Sequence, residues 1–238
     1  RRPLALGQVG LRRPGDFLAQ IRQPAPRVIA EVKLASPSEG DIAPGLDPVQ
    51  VAGEYLAQGA AALSVLTEPS FFKGSPEYLR NIRAKHPQAA LLMKDFLVDE
   101  YQLLQALDIG ADAVLVIVAM LGAELSARFH EKARALGLTV LVEVHDEEEL
   151  RIALDMGAPL IGVNNRNLKT MEISLATSER LAGIAAGRAT LVAESGLKKG
   201  ADLKRLAELG YQGFLIGTSF MKTGQPGPAL ARMLAEAR

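Results

Sequence analysis

Lys33, Lys94 and Glu143 each stand at the end of a short apolar run of the kind that forms a buried β-strand. The runs occupy residues 28–32, 91–93 and 141–142. Burying a charge costs several kcal/mol unless the charge is paired or used in chemistry. Three such strand ends in one chain indicate acids and bases arranged around one pocket. The chain is therefore a candidate enzyme.

A repeated pattern predicts the elements that hold these residues. A helix-like segment, a glycine and a run rich in valine, isoleucine and leucine follow one another five times, with the glycine at Gly59, Gly110, Gly137, Gly157 and Gly210. Glycine at a helix C-terminus accepts the left-handed conformation that ends the helix. The apolar run after it is typical of a parallel strand that is covered on both faces. The pattern therefore predicts alternating helices and parallel strands.

Three further apolar runs, at 28–33, 89–94 and 190–194, raise the number of candidate strands to eight. Eight βα units in 238 residues, without a linker between them, predict a single (β/α)8 TIM barrel over residues 28–238. An open doubly wound α/β sheet is the alternative. It would normally carry G-x-G-x-x-G after its first strand, and residues 35–40 do not match that motif.

Residues 1–27 form an N-terminal extension that precedes the first strand and is rich in arginine and proline. Within it, residues 16–21 are predicted to form one or two helical turns. The extension could serve as a partial lid over one end of the barrel, with a disordered lead-in as the alternative.

Composition excludes several classes of partner and site. The 27 basic and 27 acidic residues balance, so neither nucleic acid nor an anionic membrane is expected as a partner. The chain has no cysteine, which rules out thiolate chemistry and favours a cytoplasmic location. The histidines at 86, 130 and 145 lack metal-ligand spacing, and no metal site is expected. No apolar stretch is long enough to span a bilayer, and no secretory leader opens the chain.

In barrel enzymes the active site lies at the C-terminal ends of the strands. Five side chains fall within about one residue of that edge: Lys33, Lys94, Glu143, Asn164 and Ser195. Because side chains alternate between the faces of a strand, Glu31 shares the face of Lys33. The alternative is that Glu31–Lys33 or Lys94–Glu143 are structural ion pairs that plug the top of the barrel.

Small residues after the last two predicted strands suggest a phosphate site. The segments are Ala-Glu-Ser-Gly at 193–196 and Leu-Ile-Gly-Thr-Ser at 215–219. Such residues let backbone N–H groups approach an anion, although they are also ordinary turn residues. Ser36, after the first strand, could add a hydroxyl. The two segments in register favour a phosphorylated ligand.

Two further groups belong to the same rim. Arg166, in the asparagine-rich segment after the sixth strand, suits a carboxylate or a phosphate. Phe71, Phe72 and Phe96 follow the second and third strands and predict an aryl pocket. The alternative for the asparagine-rich segment is that it only forms a turn. The alternative for the phenylalanines is ordinary packing at the rim.

Seven segments carry a resemblance to a known family. They read Val-Ile-Ala-Glu-Val-Lys…Ser-Pro-Ser at 28–38, Ser-Val-Leu-Thr-Glu at 64–68, Met-Lys-Asp-Phe at 93–96, Leu-Val-Glu-Val-His at 141–145, Val-Asn-Asn-Arg-Asn-Leu at 163–168, Ala-Glu-Ser-Gly at 193–196 and Leu-Ile-Gly-Thr-Ser at 215–219. In this order and spacing they resemble indole-3-glycerol phosphate synthases of tryptophan biosynthesis. The resemblance implies that 1-(2-carboxyphenylamino)-1-deoxyribulose 5-phosphate is closed to indole-3-glycerol phosphate, with loss of carbon dioxide and water and without a cofactor.

The resemblance also implies roles for individual residues. Lys94 matches the general acid that protonates the ribulose carbonyl, and Glu143 matches the carboxylate that stabilises the cation and acts as base. Glu31 and Lys33 match the pair that assists dehydration and holds the substrate carboxylate, although family members differ in how the two lysines divide the proton transfers. The other implied positions are Asn164 and Ser195 in the catalytic set, Ser36, Gly196, Gly217 and Thr218 for phosphate, and Phe72, Phe96, Leu115, Arg166 and Leu215 for the rest of the substrate.

Two expectations concern charge. A desolvated ammonium at the barrel mouth is expected to have a depressed pKa, which would make Lys94 a better proton donor near neutral pH. Leu34 and Glu39 stand where the resembled family commonly has basic residues, so the charge and closure of the loop after the first strand are expected to differ.

Other functions remain as alternatives. An isomerase related to phosphoribosylanthranilate isomerase would need a cysteine base, and a Schiff-base aldolase would need a lysine in place of Asn164. An inactive phosphosugar-binding barrel is the non-enzyme alternative, against which the retained Lys94 and Glu143 argue. The expected partner is a phosphorylated small molecule. The protein is expected to be a monomer, with room for association with other enzymes of tryptophan biosynthesis.

Overall fold

Eight parallel strands close into a barrel in the computed structural model, which describes residues 16–185 and 187–237. The strands are β1 (Arg27–Val32), β2 (Ala62–Leu66), β3 (Leu91–Lys94), β4 (Ala113–Ile117), β5 (Thr139–Val144), β6 (Leu160–Asn164), β7 (Thr190–Glu194) and β8 (Tyr211–Ile216). Each strand pairs with its neighbours in chain order, and β1 pairs with β8 to close the ring. The predicted (β/α)8 barrel is confirmed.

Helices alternate with these strands. They are α1 (Phe17–Ile21), α2 (Pro48–Ala57), α3 (Pro69–Phe72), α4 (Pro76–Lys85), α5 (Tyr101–Ile109), α6 (Val118–Ala135), α7 (Glu147–Asp155), α8 (Ala176–Ala185), α9 (Gly200–Glu208), α10 (Thr218–Met221) and α11 (Pro226–Glu236). The backbone of α6 is broken at Gly122, where φ is 70°. The sequence patterns did not predict the four-residue helices α3 and α10, nor the short hairpin that pairs Ala35–Ser36 with Gly40–Asp41 after β1.

The glycines of the repeated pattern end helices as predicted, since all five have positive φ. Gly110 shows why the residue type is required. Its φ is 89°, and a Cβ at this position would lie 2.6 Å from Cγ of Arg83. The turn after α5 therefore combines a left-handed backbone with a close approach of the neighbouring helix.

The core has two layers because side chains of each strand alternate between the barrel interior and the helices. The interior layer contains Ile29, Leu92, Leu141 and Val192, while the outer layer packs the other strand faces against the helices. Packing of these two layers fixes the C-terminal ends of the eight strands, and the residues that follow those ends lie on one rim of the barrel.

Helix α1 closes the N-terminal end of the barrel, opposite the rim where the predicted catalytic residues stand. Phe17 and Ile21 are fully buried in the interior layer. The following Arg22 donates from Nε to Oγ1 of Thr190 at the start of β7, at 3.1 Å. The predicted turns at 16–21 are confirmed, with Asp16 as the helix N-cap. Residues 1–15 lie outside the described part of the chain, so a lid formed by them stays a prediction.

Within the described ranges, no helix combines the length and the apolar character needed to cross a membrane.

Candidate active site

Lys94, the last residue of β3, lies between two carboxylates at the C-terminal mouth of the barrel. Its Nζ is 3.0 Å from Oε2 of Glu143 and 2.8 Å from Oε2 of Glu194. Only 15% of the Lys94 side chain is exposed, and both carboxylates are buried. Strands β3, β5 and β7 thus bring one cation and two anions to a single point.

Both oxygens of Glu143 are held in place. While Oε2 faces Lys94, Oε1 accepts a hydrogen bond from Nδ2 of Asn164 at 3.1 Å. The amide of Asn164 is oriented in turn, because its Oδ1 accepts from the backbone N–H of Arg166 at 3.0 Å. Nε2 of His145 lies 3.3 Å from the same Oε1. The carboxylate is fixed before any ligand arrives.

Glu31 and Lys33 form a second ion pair on β1 and just after it. Nζ of Lys33 is 2.7 Å from Oε1 of Glu31, and Ser64 donates to Oε2 at 3.2 Å. A Cβ on Gly217 would lie 2.7 Å from Oε1 of Glu31, so only glycine fits where β8 ends. Both ion pairs that the structural alternative named, Glu31–Lys33 and Lys94–Glu143, are therefore present.

The pKa of Lys94 is raised, which makes the expectation of a depressed value wrong. Burial alone would lower it, as expected for a desolvated ammonium. The carboxylates of Glu194, Glu143 and Glu31 outweigh burial and favour the charged form. The apolar run before Lys94 indicated burial, but it could not show how many acids meet it.

Glu194, at the end of β7, was not among the predicted site residues. Burial raises its pKa to about 7, the charges of Glu143 and Glu31 add to this effect, and Lys94 opposes it. Its Oε1 is buried without a hydrogen-bond partner. The side chain lies over Gly162 of β6, where a Cβ would approach that oxygen to 2.0 Å. The signal was available, since residues 190–194 are one more apolar run that ends in an ionisable residue.

Loops after β7 and β8 lie side by side because these two strands pair. Ser195 and Gly196 both have positive φ, at 64° and 80°. Asn165, which was also missed, donates from Nδ2 to the carbonyl oxygens of Glu194 at 2.9 Å and Ser195 at 3.2 Å. Ser219 donates to the carbonyl of Leu197 at 2.7 Å, joining the two loops. The predicted phosphate segments are thus held together.

The start of α10 and the hairpin after β1 complete this side of the rim. Helix α10 begins at Thr218, directly after Gly217. Ser36 lies in the hairpin, with its Oγ 3.4 Å from that of Ser38. Glu39 pairs with Lys222 at 2.5 Å, so the acidic residue that departs from the resembled family links the hairpin to the end of α10.

Three phenylalanines cluster on the other side of the rim. The ring centroid of Phe96 lies 6.3 Å from that of Phe71 and 6.0 Å from that of Phe72. Glu68 sets the position of Phe71 and Phe72, because its carboxylate accepts their backbone N–H groups at 2.6 and 3.2 Å. Phe96 packs on the interior layer that contains Leu115 and Leu215. The rim therefore has an aromatic wall.

Arg166 stands in the loop after β6, where Nη1 of its guanidinium contacts the carbonyl of Met171 at 3.5 Å. A cavity of about 540 Å³ lined by α6 residues and Met156 lies on the helical exterior and contains none of the predicted site residues. Among the described residues, no group of three or more histidine, aspartate or glutamate side chains is arranged to hold a metal ion. The rim can supply proton transfer and charge stabilisation from its lysines and carboxylates.

Comparison with known proteins decides the family. A family profile described as indole-3-glycerol phosphate synthase matches residues 11–233. The chain belongs to the indole-3-glycerol phosphate synthase family. Its ion pairs and rim loops lie in the segments on which the resemblance was based.

Relatives agree with this membership. The chain is 46% identical over 219 residues to an indole-3-glycerol phosphate synthase from Polaromonas sp. (strain JS666), covering 92% of this chain and 83% of the relative. A synthase from Acetivibrio thermocellus is 45% identical over 214 residues, covering 90% and 82%. One from Listeria monocytogenes serotype 4a is 47% identical over 203 residues, covering 85% and 80%.

Solved structures of other enzymes share the fold. Mandelate oxidase with (S)-2-phenylpropionate superposes with a TM-score of 0.66 at 19% identity, covering 90% of this chain and 72% of that one. A chain of the tryptophan synthase a2b2 complex from Pyrococcus furiosus gives 0.65 at 16% identity, covering 88% and 96%. At these identities the likeness concerns the fold alone.

Proposed function

We propose that the protein converts 1-(2-carboxyphenylamino)-1-deoxyribulose 5-phosphate to indole-3-glycerol phosphate, carbon dioxide and water. The observation that carries the proposal is the ammonium of Lys94 between Glu143 and Glu194 at the barrel mouth of a chain of this family. The reaction needs an acid for a carbonyl oxygen and an anion for a transient cation. Lys94 supplies the acid and the two carboxylates supply the anion, and these groups lie within about one hydrogen-bond length of each other.

The two ends of the substrate fit opposite sides of the rim. The aryl ring packs on the aromatic wall of Phe72 and Phe96, above Leu115 and Leu215 of the interior layer. The phosphate binds the loops after β7 and β8, where Gly196, Gly217, Thr218 and the hydroxyl of Ser36 face it, and Arg166 adds positive charge at the rim. Holding both ends brings the ring carbon to the ribulose carbonyl and removes much of the entropic barrier.

Ring closure comes first. The ring carbon that bears the carboxylate attacks the carbonyl carbon, and the carbonyl electrons move to oxygen, which takes a proton from Lys94. The ring is then cationic, and Glu143 and Glu194 stabilise that charge. The bond to the carboxylate breaks, its electrons return to the ring, and carbon dioxide leaves. Asn164 keeps Glu143 in position throughout.

Dehydration follows. Glu194 removes a proton from the methylene carbon next to nitrogen, and the new hydroxyl leaves as water with a proton from Lys33, which solvent then reprotonates. Glu31 holds the Lys33 side chain in position for this step, with 2.7 Å between Oε1 and Nζ. Glu194 then passes this proton to Lys94, which it contacts, and its pKa of about 7 allows it to take up and release a proton near neutral pH. Ser195, which directly follows β7, belongs to the same catalytic set.

A fluorescence assay tests the activity. The purified protein is mixed with the carboxyphenylamino substrate, and the appearance of indole fluorescence is followed. Turnover is expected in the wild type, with a loss of about 100-fold or more in Lys94→Met, since a positioned acid contributes about that factor. Calorimetric binding of the substrate without product would instead favour an inactive phosphosugar-binding barrel.

The proposal also includes the oligomeric state, the location and the partners of the enzyme. The protein acts as a monomer in the cytoplasm on a phosphorylated small molecule, without nucleic acid or membrane partners, and it can associate with other enzymes of tryptophan biosynthesis. Light scattering on the purified protein tests the monomer. A stable dimer at micromolar concentration would contradict it.

A further inference from the structure

His145 lies between two carboxylates next to the ion-pair cluster. It follows β5 directly, and its Nε2 is 3.3 Å from Oε1 of Glu143. On the other side its Nδ1 is 3.0 Å from Oε2 of Glu149, in the first turn of α7. That same oxygen accepts the backbone N–H of His145 at 2.8 Å. Only 10% of the imidazole is exposed.

The surroundings select the doubly protonated ring. A neutral imidazole has one donor and one acceptor, whereas two facing carboxylates offer only acceptors. Burial alone would lower the pKa of His145, but Glu143 and Glu149 raise it to about 10. Those two carboxylates, one at the end of β5 and one on α7, outweigh the effect of burial.

We propose that His145, held as an imidazolium by Glu149, is a positioning residue that keeps Glu143 ionised and oriented during the reaction. The inference rests on the proposed function, because it concerns the carboxylate that serves the ring-closure step. Neither His145 nor Glu149 is assigned a contact with the substrate.

The need for this cation follows from the proton transfer. When Lys94 gives its proton to the substrate, Glu143 loses the fixed positive charge that faces Oε2, and the ring cation that replaces it lasts only until carbon dioxide leaves. A buried carboxylate without a counter-charge takes up a proton instead of remaining ionised. Asn164 cannot prevent this, since its amide donates a hydrogen bond without charge. The imidazolium on the Oε1 side remains, and Glu143 can still stabilise the cationic intermediate.

Two variants test whether the charge of His145 is needed or only the volume of its side chain. In His145→Gln a neutral amide of similar length takes the place of the charged ring beside Glu143, so the acid limb of the kcat profile is expected to move up by about one pH unit, equivalent to a tenfold loss on that limb. In Glu149→Gln the imidazolium loses its anchor, so the alkaline limb is expected to move to lower pH. KM should change little in both. Glu148→Gln, an exposed change on the same helix, is the control.

An NMR titration of the imidazole nitrogens gives a readout that does not depend on turnover. We expect His145 to stay charged at pH 8 in the wild type and to titrate lower in Glu149→Gln. A neutral ring at pH 7.5, or a wild-type pH profile in both variants, overturns the inference. Lack of wild-type turnover contradicts the proposed function instead, while the titration still decides the charge of His145. Near-UV circular dichroism confirms that each variant is folded.

Discussion

Lys94 and Glu194 form an ion pair across the diameter of the barrel, with 2.8 Å between Nζ and Oε2. Their strands, β3 and β7, lie four positions apart in a closed ring of eight, which is as far apart as two strands can be. The pair therefore shows that the barrel is closed and that its mouth is narrow enough for side chains of opposite strands to make contact. It also places a proton donor beside a carboxyl group whose pKa is raised to about 7.

We expect Glu194→Gln to lose activity. We also expect its stability relative to the wild type to increase as the pH rises. In the folded state the pKa of Glu194 is about 7, above its ordinary value of 4.5. Ionising it in the fold is therefore unfavourable, and wild-type stability falls between about pH 4.5 and 7 for this reason. The variant escapes this cost, so its advantage should grow over that window and then level off. Urea unfolding at several pH values measures it.

Glu208→Gln is the matched control, because Glu208 is exposed at the end of α9. Its free energy of unfolding should track the wild type at every pH. A constant difference between Glu194→Gln and the wild type from pH 4.5 to 8 would contradict a raised pKa in the folded state.

Lys33→Met and Lys94→Met should stop the reaction at different points. If Lys94 serves ring closure, its variant releases neither carbon dioxide nor indole product. If Lys33 serves dehydration, its variant releases carbon dioxide faster than indole fluorescence appears, with product formation reduced about 100-fold or more. Single-turnover measurements on carboxyl-labelled substrate compare the two signals. The opposite pattern would exchange the roles of the two lysines.

Glu68→Ala should weaken substrate binding more than it destabilises the fold. Glu68 caps α3 and sets the backbone positions of Phe71 and Phe72. Loss of a helix cap costs about 1 kcal/mol, and displacement of the aromatic wall should raise KM several-fold. Ser75→Ala removes the cap of the neighbouring α4, at a similar cost in stability. An equal rise of KM in both variants would show that the aromatic wall does not hold the substrate.

Arg83→Met should destabilise the protein without affecting kcat. The guanidinium of Arg83 is buried, pairs with Asp112 at 2.5 Å and donates to the carbonyls of Gly110 and Ala89. Removing one partner of a buried pair costs about 3–5 kcal/mol. Arg80→Met breaks an exposed pair on the same helix and should cost about 1 kcal/mol or less. Denaturant unfolding of the two variants provides the comparison, and equal losses would contradict it.

Much of the fold followed from local patterns. The five glycines marked helix ends because a positive φ is a property of single residues and their neighbours. The apolar runs marked strands because both faces of a barrel strand are covered. The short helices α3 and α10 were missed because four residues carry no detectable period.

The charges were harder to predict. The apolar run before Lys94 correctly indicated burial, from which a depressed pKa was expected. The raised pKa comes from Glu194, Glu143 and Glu31, which are distant in sequence and close in space. Glu194 was overlooked because it stood within a segment interpreted as a phosphate loop.

The amino-acid sequence alone determined which residues stand at strand ends, because strand length, glycine positions and apolar runs are local properties. Only the tertiary structure decided which of these residues meet. Lys94 reaches Glu194, and His145 joins Glu143 to Glu149, because pairing of β1 with β8 closes the ring and brings all strand ends to one rim. Distances across a closed barrel depend on every strand at once, and electrostatic energies depend on those distances.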